Sequence, residues 1–217
     1  MSGERRRHLA ALADRYGFVI VEDDPYGALR FVGAPIASIS TLSANVVTLG
    51  STSKTLAPGL RVGWALLPPW LIGPMARQKQ AADLHTSSLA QAVVASALRS
   101  SWYPDHVSRL CGAYGARAEA LFDALEEHPE VFARPRRAEG GMFAWVRLRG
   151  AVEASELLPE ALSRGVAFVP GAAFSDQGRY RDHVRLSFAT LHEAAFGEAV
   201  ARLAAVAAAA ERSVTPV

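Results

Sequence analysis

The chain has 217 residues, half of them apolar, and a formal net charge of +2. That is enough apolar matter for one large or two small domains, and the near balance of charge gives no strong pull toward nucleic acid or acidic membranes. The single cysteine, Cys111, excludes a disulfide framework or a cysteine zinc cluster within one chain. In its helical surroundings it reads as a small buried hydrophobe, and no residue is assigned to a metal. Of the 23 lysines and arginines only Lys54 and Lys79 are lysines, so chemistry that needs an amine has two candidates. The segment Met1 to Arg7 lacks the apolar region of a signal peptide, and no apolar run approaches the roughly 20 residues that span a bilayer. The expected compartment is the cytoplasm, with no membrane partner.

In chain order, residues 4–16 carry helical spacing, with Leu9, Leu12 and Tyr16 on one stripe and Gly17 placed to end the helix. Phe18 to Val21 is a short, β-branched apolar run and reads as a buried parallel strand. Glu22-Asp23-Asp24-Pro25 closes it. Val46 to Leu49 reads as a second such strand, ending at Gly50-Ser51, and Arg61 to Leu67 as a third, closed by Pro68-Pro69. Helical spacing follows over about 70–82 and 88–99, then over a long segment, 104–127. Beyond Pro129 the rhythm alternates: Val131–Ala133 and Met142–Leu148 read as strands, followed by a helix at about 153–164. Short strands are expected at 166–169 and 183–189, and an alanine-rich helix at about 191–211. The tail from Arg212 to Val217 is expected to fray. The expected architecture is an α/β front part, residues 1–100, and an α+β back part, residues 101–217. Three short buried strands make a poor sheet unless their faces and edge find further partners.

Ser51-Thr52-Ser53-Lys54 directly follows an apolar strand. Hydroxyls and an ammonium at a strand end supply donors for phosphate oxygens. Arg61 lies seven residues on, across a Pro58-Gly59 turn that can fold it back. A plain polar loop after a strand fits the same four residues equally well. The spacing is not that of a P-loop. Asp23 and Tyr26 close the preceding strand, where parallel sheets bind ligands. A carboxylate there can pair with a pyridinium nitrogen and a phenol three residues later can reach the same ligand's hydroxyl; a simple turn with an Asx cap is the alternative.

Together these segments resemble the fold-type I pyridoxal-phosphate (PLP) enzymes, specifically the class I and II aminotransferases. The likeness rests on Val19-Ile20-Val21-Glu22-Asp23-Asp24-Pro25-Tyr26-Gly27 and on the highly specific run from Thr48 to Gly63 containing Ser51-Thr52-Ser53-Lys54 and Pro58-Gly59-Leu60-Arg61. It continues at Gly140-Gly141-Met142-Phe143, Val169-Pro170-Gly171 and Val184-Arg185-Leu186-Ser187-Phe188, and so covers nearly the whole chain. The branch most resembled holds 2-aminoadipate and aromatic aminotransferases and the aminotransferase-like domains of MocR regulators.

The resemblance implies that residues 1–100 are the carboxyl-terminal part of a PLP-binding large domain and residues 101–217 a small domain. It makes Lys54 the Schiff-base lysine and proton shuttle, and Asp23 the partner that keeps the pyridine nitrogen protonated. It puts Tyr26 on the ring hydroxyl, and Ser51, Ser53 and Arg61 on the cofactor phosphate. It makes Arg185 the clamp on the substrate α-carboxylate; an arginine on an edge strand is the plainer reading. Arg5-Arg6-Arg7 reads as a solvated helix face, and Met142, Phe143 and Trp145 as packing. His85 is a candidate to face a dimer partner's site.

The implied reaction is transamination between an amino acid and a 2-oxo acid, in a protein that is a homodimer when complete. The resembled family is about twice as long, and its upstream half carries an Asn that contacts the cofactor, the aromatic residue stacked on the ring and a glycine-rich phosphate loop. The chain is therefore expected to be a partial one, with about half of a cofactor pocket and no activity by itself. Two other functions share the scaffold: the effector domain of a MocR-type regulator, which binds nucleic acid only through an upstream winged helix, and a β-eliminating lyase.

Overall fold

The computed structural model describes residues 1–150 and 152–214, with side chains described to residue 211. The chain divides into two compact units, Met1–Leu110 and Cys111–Val217. The division falls inside a long helix, about ten residues beyond the junction expected from sequence.

The first unit opens with helix α1, Gly3–Tyr16. Ser2 caps it by accepting the Arg5 N–H, and Gly17 ends it in the left-handed conformation with its N–H on the Ala13 carbonyl. Strand β1, Ile20–Asp23, starts two residues later than the apolar run implied and extends two residues further. Its neighbour decides this: β2, Val46–Ser51, pairs with it in parallel from Ile20 opposite Val46 to Asp23 opposite Leu49. Strand β3, Gly63–Leu66, completes the sheet in the order β1-β2-β3. It runs antiparallel to β2, from Leu66 opposite Thr48 to Gly63 opposite Ser51, and all four of its residues are exposed. This corrects the reading of three buried parallel strands. The link over 52–62 is a tight turn rather than a crossover, and a parallel return needs a dozen or more residues, normally with a helix. Ala10 and Ala13 of α1 pack with Ile20, Ile39, Val46 and Leu9 in a small core on one side of the sheet. Val21, on the other side of β1, is 61% exposed. Helices α2, Pro69–Asp83, and α3, Ser88–Arg99, follow close to the expected bounds, Ser87 capping the latter through the Ala90 N–H.

Helix α4, Trp102–Glu126, leads into the second unit. There β4, Phe143–Arg147, β5, Val169–Pro170, and β6, His183–Ser187, form an antiparallel sheet in the order β4-β6-β5. The segment expected as a strand at 131–133 contributes only an isolated bridge, Phe132 opposite Leu148. Alternation puts Ala144, Val146, Val184 and Leu186 on the buried face. Leu121, Phe122 and Leu125 of α4 are buried in this unit. So are Leu157 and Ala161 of α5, Ala154–Ser163, and Val200, Leu203 and Val206 of α6. Helix α6 spans Phe196–Val214, starting later than its sequence pattern because Glu193–Ala195 form a separate 3₁₀ turn. It continues three residues past the expected end, into the segment expected to fray; residues 215–217 of that segment lie outside the described residues.

Candidate active site

Parallel pairing brings the carboxyl ends of β1 and β2 to one end of the first sheet, the position where α/β sheets present ligand-binding groups. Asp23 is the last residue of β1, and the Asp24 N–H donates to the Leu49 carbonyl at 3.0 Å, so the two strand ends stay in step. Ser51 is the last residue of β2. Gly50, just before it, lies under the Trp64 indole: a Cβ there would fall 2.1 Å from a ring carbon.

The turn after β2 is held by its own polar groups. The Ser51 hydroxyl lies 2.9 Å from that of Ser53 and 3.2 Å from the Val62 carbonyl, and accepts the Ser53 N–H at 3.0 Å. The Thr52 N–H donates to the Val62 carbonyl at 3.3 Å, and the Leu56 N–H returns to the Thr52 carbonyl at 2.8 Å, closing one helical turn around Ser53, Lys54 and Thr55. Lys54 is half-buried and its amine sits 6.0 Å from the centre of the Tyr26 ring. Neither this amine nor the Asp23 carboxylate has a hydrogen-bond or ion-pair partner among the described residues. Lys79, by contrast, is exposed and paired with Asp83 at 2.5 Å, one helical turn on. Arg61 adopts a left-handed backbone (φ 53°) at the end of the Pro58–Leu60 turn, and its Nη1 donates to the Pro58 carbonyl at 3.2 Å. The guanidinium is thus folded onto its own turn, not onto Ser51 or Ser53. Its neighbour Val62 supplies the carbonyl that anchors the serine turn.

Behind Asp23, on the opposite side of β1, Glu22 is buried and paired with Arg6 of α1. It also accepts from the Ser38 hydroxyl and from the Ile39 N–H at 2.9 Å. Burial alone would raise this carboxyl; the hydrogen bonds from Ser38, Arg6 and Ile39 and the charge of Arg6 outweigh it and hold Glu22 below the usual range. Arg6 is therefore turned inward rather than part of a solvated face, because a buried carboxylate on the adjacent strand requires a counter-charge.

In the second unit Arg185 stands on the open face of β6, opposite Trp145 of β4. Its guanidinium lies over two rings, 4.2 Å from the centre of Phe143 and 4.7 Å from that of Phe174, and its Nε is buried without a hydrogen-bond partner. Trp145 meets Phe174 and Tyr180 edge-on at 5.4 and 5.5 Å and stacks on His183 at 5.3 Å. Trp145 is 38% exposed and belongs to this surface array, not to the core. The strand alternation already put Phe143, Trp145, His183 and Arg185 on one face; Phe174 arrives from a short 3₁₀ helix, Gly171–Phe174, and Tyr180 from the loop after it, and neither carries a local signal. His85 holds its Nδ1 2.9 Å from the Thr86 carbonyl. Cys111 is half-buried, and burial raises its thiol pKa.

An amine, a carboxylate and neighbouring hydroxyls thus stand at the carboxyl ends of two parallel strands, where sheets of the α/β class present ligand-binding groups. The chain belongs to the class I and II aminotransferases, whose family model matches residues 2–203. It is 38% identical over 204 residues to a 2-aminoadipate transaminase of Thermus thermophilus, covering 92% of this chain and 51% of that protein. It is 34% identical over 192 residues to the HTH-type transcriptional regulator YdfD of Bacillus subtilis, covering 87% of this chain and 39% of that one. The structure superposes on a kynurenine aminotransferase of Pyrococcus horikoshii, solved in complex with PMP, with a TM-score of 0.92 and 36% identity, over all of this chain and 53% of the other. The chain thus spans about half the length of the aminotransferases it matches. Among the described residues no helix is long and apolar enough to cross a membrane.

Proposed function

We propose that this chain carries the lysine-bearing part of a PLP-dependent aminotransferase, exchanging an amine between an amino acid and a 2-oxo acid. The carrying observation is Lys54: an unpaired amine beside Tyr26, in a serine turn at the strand ends that also present Asp23. This donor set suits pyridoxal phosphate, with a primary amine for its aldehyde, a carboxylate for its ring nitrogen, a phenol for its ring hydroxyl, and hydroxyls with a guanidinium for its phosphate. Bound there, the cofactor supplies a ring that draws electrons from the substrate α-carbon.

Lys54 would hold the cofactor through its aldehyde, with loss of water. Once the substrate's own amine has taken that place, the freed Lys54 amine would carry the proton between the substrate Cα and the former aldehyde carbon. The Asp23 carboxylate holds a proton on the ring nitrogen by opposite charge. Ser51, Ser53 and Arg61 bind phosphate oxygens, and Tyr26 donates to the ring hydroxyl oxygen. Arg185 takes the substrate carboxylate as a planar fork. On this reading the first unit is part of the cofactor-binding domain and the second the small domain of a cytoplasmic protein that acts as a homodimer when complete.

The test is to add PLP to the protein, reduce with borohydride and map the modified peptide. Modification at Lys54 is expected; modification at Lys79 would overturn the assignment. The likeness to a helix-turn-helix regulator favours one second reading, an effector domain that binds PLP as a signal. PLP held at Lys54 without amine transfer from any of a panel of amino acids, in a protein carrying a DNA-binding segment, would decide for it.

A further inference from the structure

Thr55 follows Lys54 directly and is buried. Both of its polar oxygens are engaged from α4: the Tyr103 hydroxyl donates to its Oγ1 at 2.8 Å, and the His106 Nε2 lies 3.0 Å from its carbonyl, which makes that nitrogen the donor. Tyr103 and His106 are three residues apart on the helix and so share a face. Trp102 packs edge-on against both rings, at 6.0 and 5.7 Å. The amino-terminal side of the turn is already anchored through Ser51 and Thr52 to Val62. Beyond Lys54 the turn's own bonds are those of the Leu56 and Ala57 N–H groups to Thr52, and the tie to a separate element comes from α4.

We propose that Tyr103 and His106 are positioning residues for Lys54: by gripping the hydroxyl and the carbonyl of Thr55 they fix the turn from which the lysine amine projects. The proposal rests on Lys54 being the cofactor lysine. A lysine side chain has four rotatable bonds, and its amine must meet an aldehyde and later a proton at a neighbouring carbon. It does so reproducibly only if its own Cα is held within about half an ångström. The serine contacts and the Leu56 and Ala57 bonds tie the turn to Val62 and to itself, so without α4 the side beyond Lys54 is held to no separate element. The α4 contacts supply that hold without touching the amine.

The chain's two lysines make this measurable without turnover. Competitive labelling with trace isotopic acetic anhydride, followed by digestion and mass spectrometry, reads the acetylation rate of Lys54 relative to Lys79 in the same molecule. In Tyr103→Phe/His106→Leu, Lys54 is expected to label faster relative to Lys79 by roughly threefold or more, since each lost neutral hydrogen bond is worth a factor of about 2 to 12. With PLP and borohydride, the fraction fixed at Lys54 is expected to fall by a similar factor. His106→Gln, whose Nε2 can reach the same carbonyl, and Thr55→Ser, which keeps the hydroxyl, are expected to return both readouts to the wild-type range. An unchanged labelling ratio and unchanged PLP fixation, with only the thermal midpoint lowered, would show the contacts to be merely structural and overturn the proposal. If the double variant does not fold, Tyr103→Phe and Thr55→Val are read the same way. PLP fixed at Lys79 in the unaltered protein would instead overturn the cofactor-lysine reading itself, whatever the labelling ratio.

Discussion

Arg6 and Glu22 form an ion pair between α1 and β1, with side chains only 16% and 8% exposed. The pair stands directly behind Asp23, so the strand end that presents one candidate site carboxylate is tied down by another carboxylate on its opposite face.

Glu22→Gln leaves the Arg6 charge buried without its counter-ion and should destabilise the first unit by about 2–3 kcal/mol. The pH dependence has a fixed sign. Glu22 is held below its ordinary range in the folded state, so its contribution is fully present above the unfolded value and is lost as pH falls through the lower folded value. The difference in thermal midpoint between wild type and Glu22→Gln should be largest near neutral pH and shrink toward pH 3. A constant difference would assign the stabilisation to packing.

Gly50→Ala places a methyl carbon against the Trp64 ring, at a position 2.1 Å from its Cζ2. The indole is half exposed and can yield, so the expected cost is about 1–3 kcal/mol in a denaturant midpoint. Adding Trp64→Leu should recover most of that loss, and a non-additive double-mutant cycle is the check.

The parts of the molecule legible in sequence are those decided locally. Gly17 marks the end of its helix, because capping chemistry acts over a few residues, and the run from Thr48 to Gly63 is recognisable as a whole although Ser51 to Lys54 alone fits a plain loop. The antiparallel direction of β3 depends on how the 52–62 link folds, and the inward turn of Arg6 on a carboxylate 16 positions away. Neither is written in a local pattern. The same holds for Phe174 against Arg185 and for Tyr103 and His106 against Thr55, where partners 11 and about 50 positions apart meet only once the chain is folded.

Asp23→Asn keeps the shape of the strand end but removes the charge that would keep a pyridine nitrogen protonated. In the complete, active protein turnover should fall by at least ~10²-fold, or roughly 3 kcal/mol of barrier. Cofactor retention, read by absorbance, should change far less, because Ser51, Ser53 and Arg61 keep their groups. Near-normal turnover would reduce Asp23 to a turn residue.

Arg185→Lys tests the second unit. The guanidinium lies over two phenyl rings, 4.2 and 4.7 Å from the centres of Phe143 and Phe174, while its buried Nε finds no hydrogen-bond partner. The two rings hold the guanidinium by cation–π attraction, and a planar fork matches a carboxylate with two parallel bonds. An ammonium does not make that paired contact. In the active protein, KM for the amino acid and for the 2-oxo acid should rise together, by about tenfold or more, since a bond to a charged group is worth roughly 1.5–3 kcal/mol. The absorbance of the cofactor at Lys54 should be unchanged. Phe174→Leu keeps the guanidinium but removes one of the two rings, and should raise both KM values by a smaller, few-fold factor in line with a cation–π contact of about 0.5–1 kcal/mol. Unchanged KM values for both substrates in Arg185→Lys would move the carboxylate site elsewhere. A rise for only one substrate would assign Arg185 to that substrate's side chain instead of to the carboxylate both share.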